Sequence, residues 1–101
     1  MEALYLSFNS LESVNTHTFV DLPSLEFLLL DDNRITRIER GAFINMARLK
    51  RLDLRGNKLK IISDESFQDL PLLELLDLAY NQLQSLDFSI LDQVSHSVST
   101  F

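Results

Sequence analysis

The chain has 101 residues, 46 % of them apolar, no cysteine, and a formal net charge of −6 with a pI near 4.7. That apolar share is ample for a packed interior and argues against disorder. No apolar run approaches the ~18 residues of a membrane span, no basic segment leads into an apolar one as in a secretory signal, and so acidic a balance argues against nucleic acid as a partner.

Asn9, Asn33, Asn57 and Asn81 stand 24 residues apart without a slip. A fixed period in this range indicates stacked coils, a solenoid, rather than a globule. Repeat one, residues 1–24, places Met1, Leu4, Leu6, Leu11, Val14, Phe19 and Leu22 in seven apolar slots. Repeat two, 25–48, fills the same slots with Leu25, Leu28, Leu30, Ile35, Ile38, Phe43 and Met46. Repeat three, 49–72, uses Leu49, Leu52, Leu54, Leu59, Ile62, Phe67 and Leu70. Repeat four, 73–96, uses Leu73, Leu76, Leu78, Leu83, Leu86, Leu91 and Val94. In residues 97–101, Ser97 and Thr100 occupy positions where a fifth repeat needs Leu, so this tail is expected to be irregular or a truncated repeat. Either one inserted residue lets the pattern resume at Val98 and Phe101, or the solenoid stops. Met1 stands in a Leu slot and neither end carries a disulfide cap, so the chain is expected to be cut from a longer array.

Each repeat dictates the same local structure. In every L-x-L segment two side chains point one way and the middle one the other, as in a strand. Such short strands are not stable alone; stacked coil on coil they form a parallel sheet along an inner face. The asparagines follow at the sharp turn. An amide offers donors and an acceptor, so each can satisfy backbone groups of its own and a neighbouring coil, and the four form a structural ladder. Phe19, Phe43 and Phe67 recur on the same step and predict a stacked aromatic spine at the back. Segments 15–18 and 63–66 carry helix-capping residue types and predict a turn of helix or 3₁₀-helix on the convex side. Pro23 and Pro71 fall two residues before the next repeat's first Leu, where a missing N–H does no harm.

The form L-x-x-L-x-L-x-x-N-x-L, clearest in Leu49-Lys-Arg-Leu52-Asp-Leu54-Arg-Gly-Asn57-Lys-Leu59, resembles the leucine-rich repeat, in the 24-residue type common in extracellular and cell-surface proteins. The resemblance covers residues 1 to about 94 and departs at Leu91, where the pattern has Phe. It implies an α/β solenoid, a horseshoe of four coils with a short parallel strand on the concave face of each and turn or 3₁₀ structure on the convex face. Within that family, Tyr80-Asn81-Gln82-Leu83 followed by Asp87-Phe88 and Asp92-Gln93-Val94 is similar to the chaoptin-like adhesion proteins of insect photoreceptors. That likeness implies a long, lipid-anchored surface protein engaged in like-with-like cell adhesion, and an extracellular or cell-surface location.

Nothing in the chain assembles into catalytic chemistry. His17 and His96 lie on different coils, without a partnered Ser or Asp motif. Asp31-Asp32 and Asp64-Glu65 are pairs only, short of a metal-ligand set. Two glycines exclude a glycine-rich phosphate loop. The expectation is no enzyme, no cofactor and no metal.

What remains is surface. Ala3, Tyr5, Phe8, Phe27, Leu29, Leu75, Ala79 and Tyr80 are apolar residues outside the lattice, on or beside the outward face of the strands. The step sets Ala3 beside Phe27, Tyr5 beside Leu29, Asp31 beside Arg55, and Asp53 beside Asp77. The candidate protein-binding residues are therefore Tyr5, Phe27, Leu29, Asp31, Arg51, Asp53, Arg55, Leu75, Asp77 and Tyr80. Exposed aromatics amid charge are the material of protein recognition; Phe8 and Tyr80 can also simply lie flat on their turns.

Charge is segregated as well. All nine Lys and Arg fall between Arg34 and Lys60, against only Glu39 and Asp53, while the other thirteen acids face no base in sequence. This basic band can oppose the acidic coils of another leucine-rich repeat chain, steering association more than tightening it. Arg34, Arg37, Lys58 and Lys60 line the flank behind the strands, where a polyanion such as a sulfated glycan can bind or the strip is simply solvated. Three readings stay open at this level: an adhesion segment, part of a ligand-binding ectodomain of the Toll-like receptor class, and spacer coils with no binding role.

Overall fold

The computed structural model describes residues 2–63 and 65–83 and the backbone of 98–100. Expectations that rest on Met1, Asp64, Leu86, Asp87, Phe88, Leu91, Asp92, Gln93, Val94, His96 and Phe101 lie outside the described residues. Each complete coil contributes three short strands. The first carries β1 (Glu2–Tyr5), β2 (Ser13–Val14) and β3 (Phe19–Val20); the second β4 (Leu25–Leu29), β5 (Arg37–Ile38) and β6 (Phe43–Ile44). The third carries β7 (Arg51–Asp53), β8 (Ile61–Ile62) and β9 (Phe67–Gln68), followed by β10 (Leu75–Asp77) and β11 (Val98–Thr100).

Like pairs with like, always in parallel, giving a concave sheet β1-β4-β7-β10-β11, a flank ladder β2-β5-β8 and a back ladder β3-β6-β9. The register preserves the repeat, setting Leu4 beside Leu28, Leu28 beside Leu52, and Leu52 beside Leu76. The last step is different. Leu76 pairs with Ser99, one residue short of the period, so the inserted residue that would bring Phe101 beside Leu76 is not the register adopted.

The interior between the ladders is filled by the repeat slots. Leu28, Leu30, Ile35, Ile38, Leu52, Leu54 and Leu59 are buried, each between the equivalent side chains of the coils above and below, and Leu76 is buried against Leu52. Each Leu or Ile so enclosed contributes about 1.5–3 kcal/mol relative to exposure. Leu4 and Leu11 of the first coil, with a neighbour on one side only, remain partly exposed. At the back, Phe19, Phe43 and Phe67 stack with ring centroids 5.5 Å apart and planes within 4° and 14° of parallel.

On the convex side the described residues contain no helix or 3₁₀ segment, so the helical part of the expected α/β fold is not what the coils use; they turn at residues 16–17 and 40–41 and are bridged there by two-residue parallel strands. Backbone dihedrals give the reason. His17, Gly41 and Glu65 share one left-handed corner (φ 61°, 69° and 57°), and Asp21, Asn45 and Asp69 share another (54°, 58° and 54°). A helix needs φ near −63° at every residue, so a left-handed residue every few positions ends it before it closes a second turn. The hydroxyls that read as helix caps do something else. Thr18 Oγ1 donates back to the Asn15 carbonyl and Ser66 Oγ to that of Ser63, tightening the corners from inside.

Turns into the strands are equally local. The Leu25 N–H donates to the Leu22 carbonyl and the Leu73 N–H to that of Leu70, which places Pro23 and Pro71 at the second position of a β-turn, where a fixed φ is favoured.

Candidate protein-binding face

The asparagine turns fix the edge of the concave sheet. Asn57 Nδ2 donates to the Leu54 carbonyl of its own coil and the Leu30 carbonyl of the preceding one, both at 3.0 Å, while its Oδ1 accepts the Ile35 N–H at 3.2 Å. Asn33 and Asn81 repeat this arrangement one coil to either side, Asn33 on Leu30, Leu6 and Leu11, and Asn81 on Leu78, Leu54 and Leu59. Asn9, in the first coil, is exposed and donates only to Leu6 and Ser7 of its own turn. The strand ends are thus tied coil to coil, and the side chains between them stand on a rigid frame.

Three columns of side chains cross that frame: Ala3, Phe27, Arg51 and Leu75; then Tyr5, Leu29, Asp53 and Asp77; then Ser7, Asp31, Arg55 and Ala79. Tyr5 and Tyr80 are 67 % and 73 % exposed, Phe27, Leu29 and Leu75 are half-buried, and the Arg51 and Arg55 guanidinium groups reach solvent.

Asp53 and Asp77 depart from the expected charged surface, being only 5 % and 8 % exposed. Each acts as a turn former. Asp53 Oδ1 accepts the Arg55 N–H and Asp77 Oδ1 the Ala79 N–H, both at 3.0 Å. Arg51 Nη2 lies 3.0 Å from Asp53 Oδ2, and Arg55 Nη1 lies 3.9 Å from Asp77 Oδ2. A carboxylate removed from water needs such partners, and here the backbone and a guanidinium supply them. Ala79, expected to face outward, is also buried beneath this turn.

Asp31 and Arg55 are neighbours, as the 24-residue step sets them, but they do not pair. Asp31 Oδ1 accepts the Ser7 hydroxyl, and Arg55 turns the other way, toward Asp77, with its guanidinium carbon 4.5 Å above the Tyr80 ring. That stacking contributes about 0.5–1 kcal/mol at an exposed site.

Phe8, absent from the sequence-derived binding set, is 79 % exposed, the highest of the large apolar side chains described. It shares a column with Asp32, Gly56 and Tyr80, all left-handed, with φ of 56°, 55°, 73° and 57°. Glycine and aspartate accept that conformation readily; aromatic residues rarely do. The signal lies in the sequence as an aromatic immediately before the Asn in two of four repeats, but its outward projection follows only from the left-handed backbone. At Gly56 the column is interrupted, because a Cβ there would collide with the Asp32 carboxylate. The apolar face therefore has two ends, Tyr5, Phe8, Phe27 and Leu29 at one and Leu75 and Tyr80 at the other, with two guanidinium groups between.

On the flank, Arg34 and Lys58 stand on neighbouring coils, as do Thr36 and Lys60, and Arg37 pairs with Glu39 at 3.1 Å. Among the described residues no three of His, Asp and Glu gather as a metal-ligand set. A shallow depression lined by Thr16, His17, Arg40, Gly41, Glu65 and Gln68 lies on the back, away from the concave columns.

Comparison with curated proteins returns no match. Comparison with family models returns one family, described as Leucine rich repeat, over residues 1–35 and 28–83, the segments that carry the asparagine ladder, the concave columns and the phenylalanine spine. With most of its length matched and its coils stacked in the repeat's own register, the chain belongs to the leucine-rich repeat family.

Proposed function

We propose that this chain is a protein–protein recognition segment of a cell-surface leucine-rich repeat protein, that its four repeats work in cell adhesion through the concave face, and that its partner is another leucine-rich repeat chain. Family membership supports protein binding as the general role. The observation that carries the concave face is the placement of Tyr5, Phe8 and Tyr80, three exposed aromatic side chains at the two ends of a hydrogen-bonded sheet whose middle presents Arg51 and Arg55. Aromatic and arginine side chains on a rigid support are the groups from which binding hot spots are built. Segregated charge favours a like chain as partner, because the basic band of one copy complements the acidic coils of another. The reading places the parent protein outside the cell, with a chaoptin-like role, and assigns the segment no catalysis.

Light scattering at low and high salt tests it. Reversible self-association that weakens as salt rises is expected. Substituting Tyr5, Phe8 and Tyr80 by Ser should abolish it with the circular dichroism spectrum unchanged. A monomer at every salt concentration would retire adhesion in favour of a receptor ectodomain or a spacer.

A further inference from the structure

Of the nine cationic side chains, five stand beside a carboxylate: Arg37 with Glu39, Arg40 with Glu65, Lys50 with Glu26, Arg51 with Asp53 and Arg55 with Asp77. Four have no carboxylate beside them among the described residues, and three of those four, Arg34, Lys58 and Lys60, lie together on the flank behind the asparagine turns. The backbone beneath them is fixed from coil to coil. The Arg34 N–H donates to the Leu11 carbonyl at 2.8 Å, the Lys58 N–H to that of Ile35 at 2.9 Å and the Lys60 N–H to that of Thr36 at 3.0 Å. Adjacent strands in such a ladder are about 4.8 Å apart, so Arg34 and Lys58 form one row of cations and Lys60, beside Thr36, begins a second.

We propose that this flank is a binding site for a linear sulfated polysaccharide. Unpaired cations held close together on a rigid ribbon repel one another, and a chain of anions lying along the coils relieves that repulsion while releasing its own condensed counterions. The surroundings select among polyanions. Among the described residues no aromatic side chain stands in the strip to stack a base, as single-stranded nucleic acid requires. Among the described residues no apolar anchor sits in an enclosing pocket, as a protein hot spot requires; the exposed apolar neighbours, Leu11 and Ile61, stand open. A sulfated sugar chain asks only for charge and hydrogen-bond donors, which the guanidinium and ammonium groups provide; the Thr36 hydroxyl between them is turned to the Glu12 carbonyl. A single sulfate meets one or two of these groups, whereas a polymer meets them all at once. The site lies behind the asparagine turns rather than on the concave columns, so a chain can occupy it while the face engages a protein.

Elution from immobilised heparin in a salt gradient tests this with the intact chain. A protein of net charge −6 has no bulk attraction to a polyanion, so retention reports a local site. The wild-type protein should be retained. K58Q/K60Q should lose most of that retention, with the log–log salt slope falling by about two; R34Q should lose part of it. R40Q/R48Q removes the same two charges elsewhere and should elute with the wild type. Soluble heparin should displace the protein where polyuridylate and polyglutamate of equal charge do not. Flow-through of the wild type at low salt, equal losses in the two double variants, or equal displacement by all three polymers would each overturn the proposal.

Discussion

Asn57 makes three hydrogen bonds to buried backbone groups spread over two coils, whereas Asn9 makes only local ones at an exposed turn. Asn57→Leu strands those groups without partners and should cost about 1–3 kcal/mol, read as a lower urea midpoint; Asn9→Leu should move the midpoint by a small fraction of that. Gly56 carries a different constraint, a φ of 73° and no room for a Cβ beside Asp32. Gly56→Ala should destabilise by about 1–2 kcal/mol for the left-handed backbone, plus the collision. Adding Asp32→Gly removes the collision and also the left-handed cost at position 32, where φ is 55°, so the double variant should recover most of the loss in the same titration. The asparagines could be assigned from sequence because an amide at a fixed turn has one use. The carboxylates at 53 and 77 could not, since alternation points them outward and only the turn's own N–H groups draw them in.

At the scale of an element, what matters is whether a group has neighbours on one side or two. Phe43 is sandwiched between Phe19 and Phe67, while Phe19 stacks on one ring only among the described residues. Phe43→Ala should therefore cost more than Phe19→Ala, at the upper end of the ~3–5 kcal/mol typical of a buried Phe, with calorimetric melting temperatures falling in that order. The spine and the strands were legible in the sequence because a 24-residue step leaves equivalent side chains no option but to face one another. The convex ladder was not legible. Ser and Thr at the corners cap helices or brace turns equally well, and the choice is made by the left-handed residues at 17, 41 and 65, which a sequence of His, Gly and Glu does not announce.

For the molecule as a whole, stability is a sum of coil terms and nearest-neighbour terms, and the first coil shows what a missing neighbour does by leaving Leu4 and Leu11 partly exposed. Hydrogen exchange should follow this gradient. Strand amides of β4 and β7, paired on both sides, should be protected well beyond those of β1, and uniform protection across the sheet would contradict it. The same additivity lets the surface vary freely over a constant interior, so that apolar columns, guanidinium groups and an unpaired basic flank coexist on one frame.

The sequence by itself determined the solenoid, the parallel register of its coils, the coil-to-coil bonds of Asn33, Asn57 and Asn81 and the aromatic spine. Each of these follows from periodicity, and a strict period has one way to bury itself. Only the tertiary structure decided which charged groups remain on the surface. Asp53 and Asp77 turn inward, Arg55 turns to Asp77 and Tyr80, and Arg34, Lys58 and Lys60 have no carboxylate beside them among the described residues. The reason is one of range: apolar burial is set by a repeat read along the chain, whereas a side chain's ionic partner depends on distances of a few ångströms across coils.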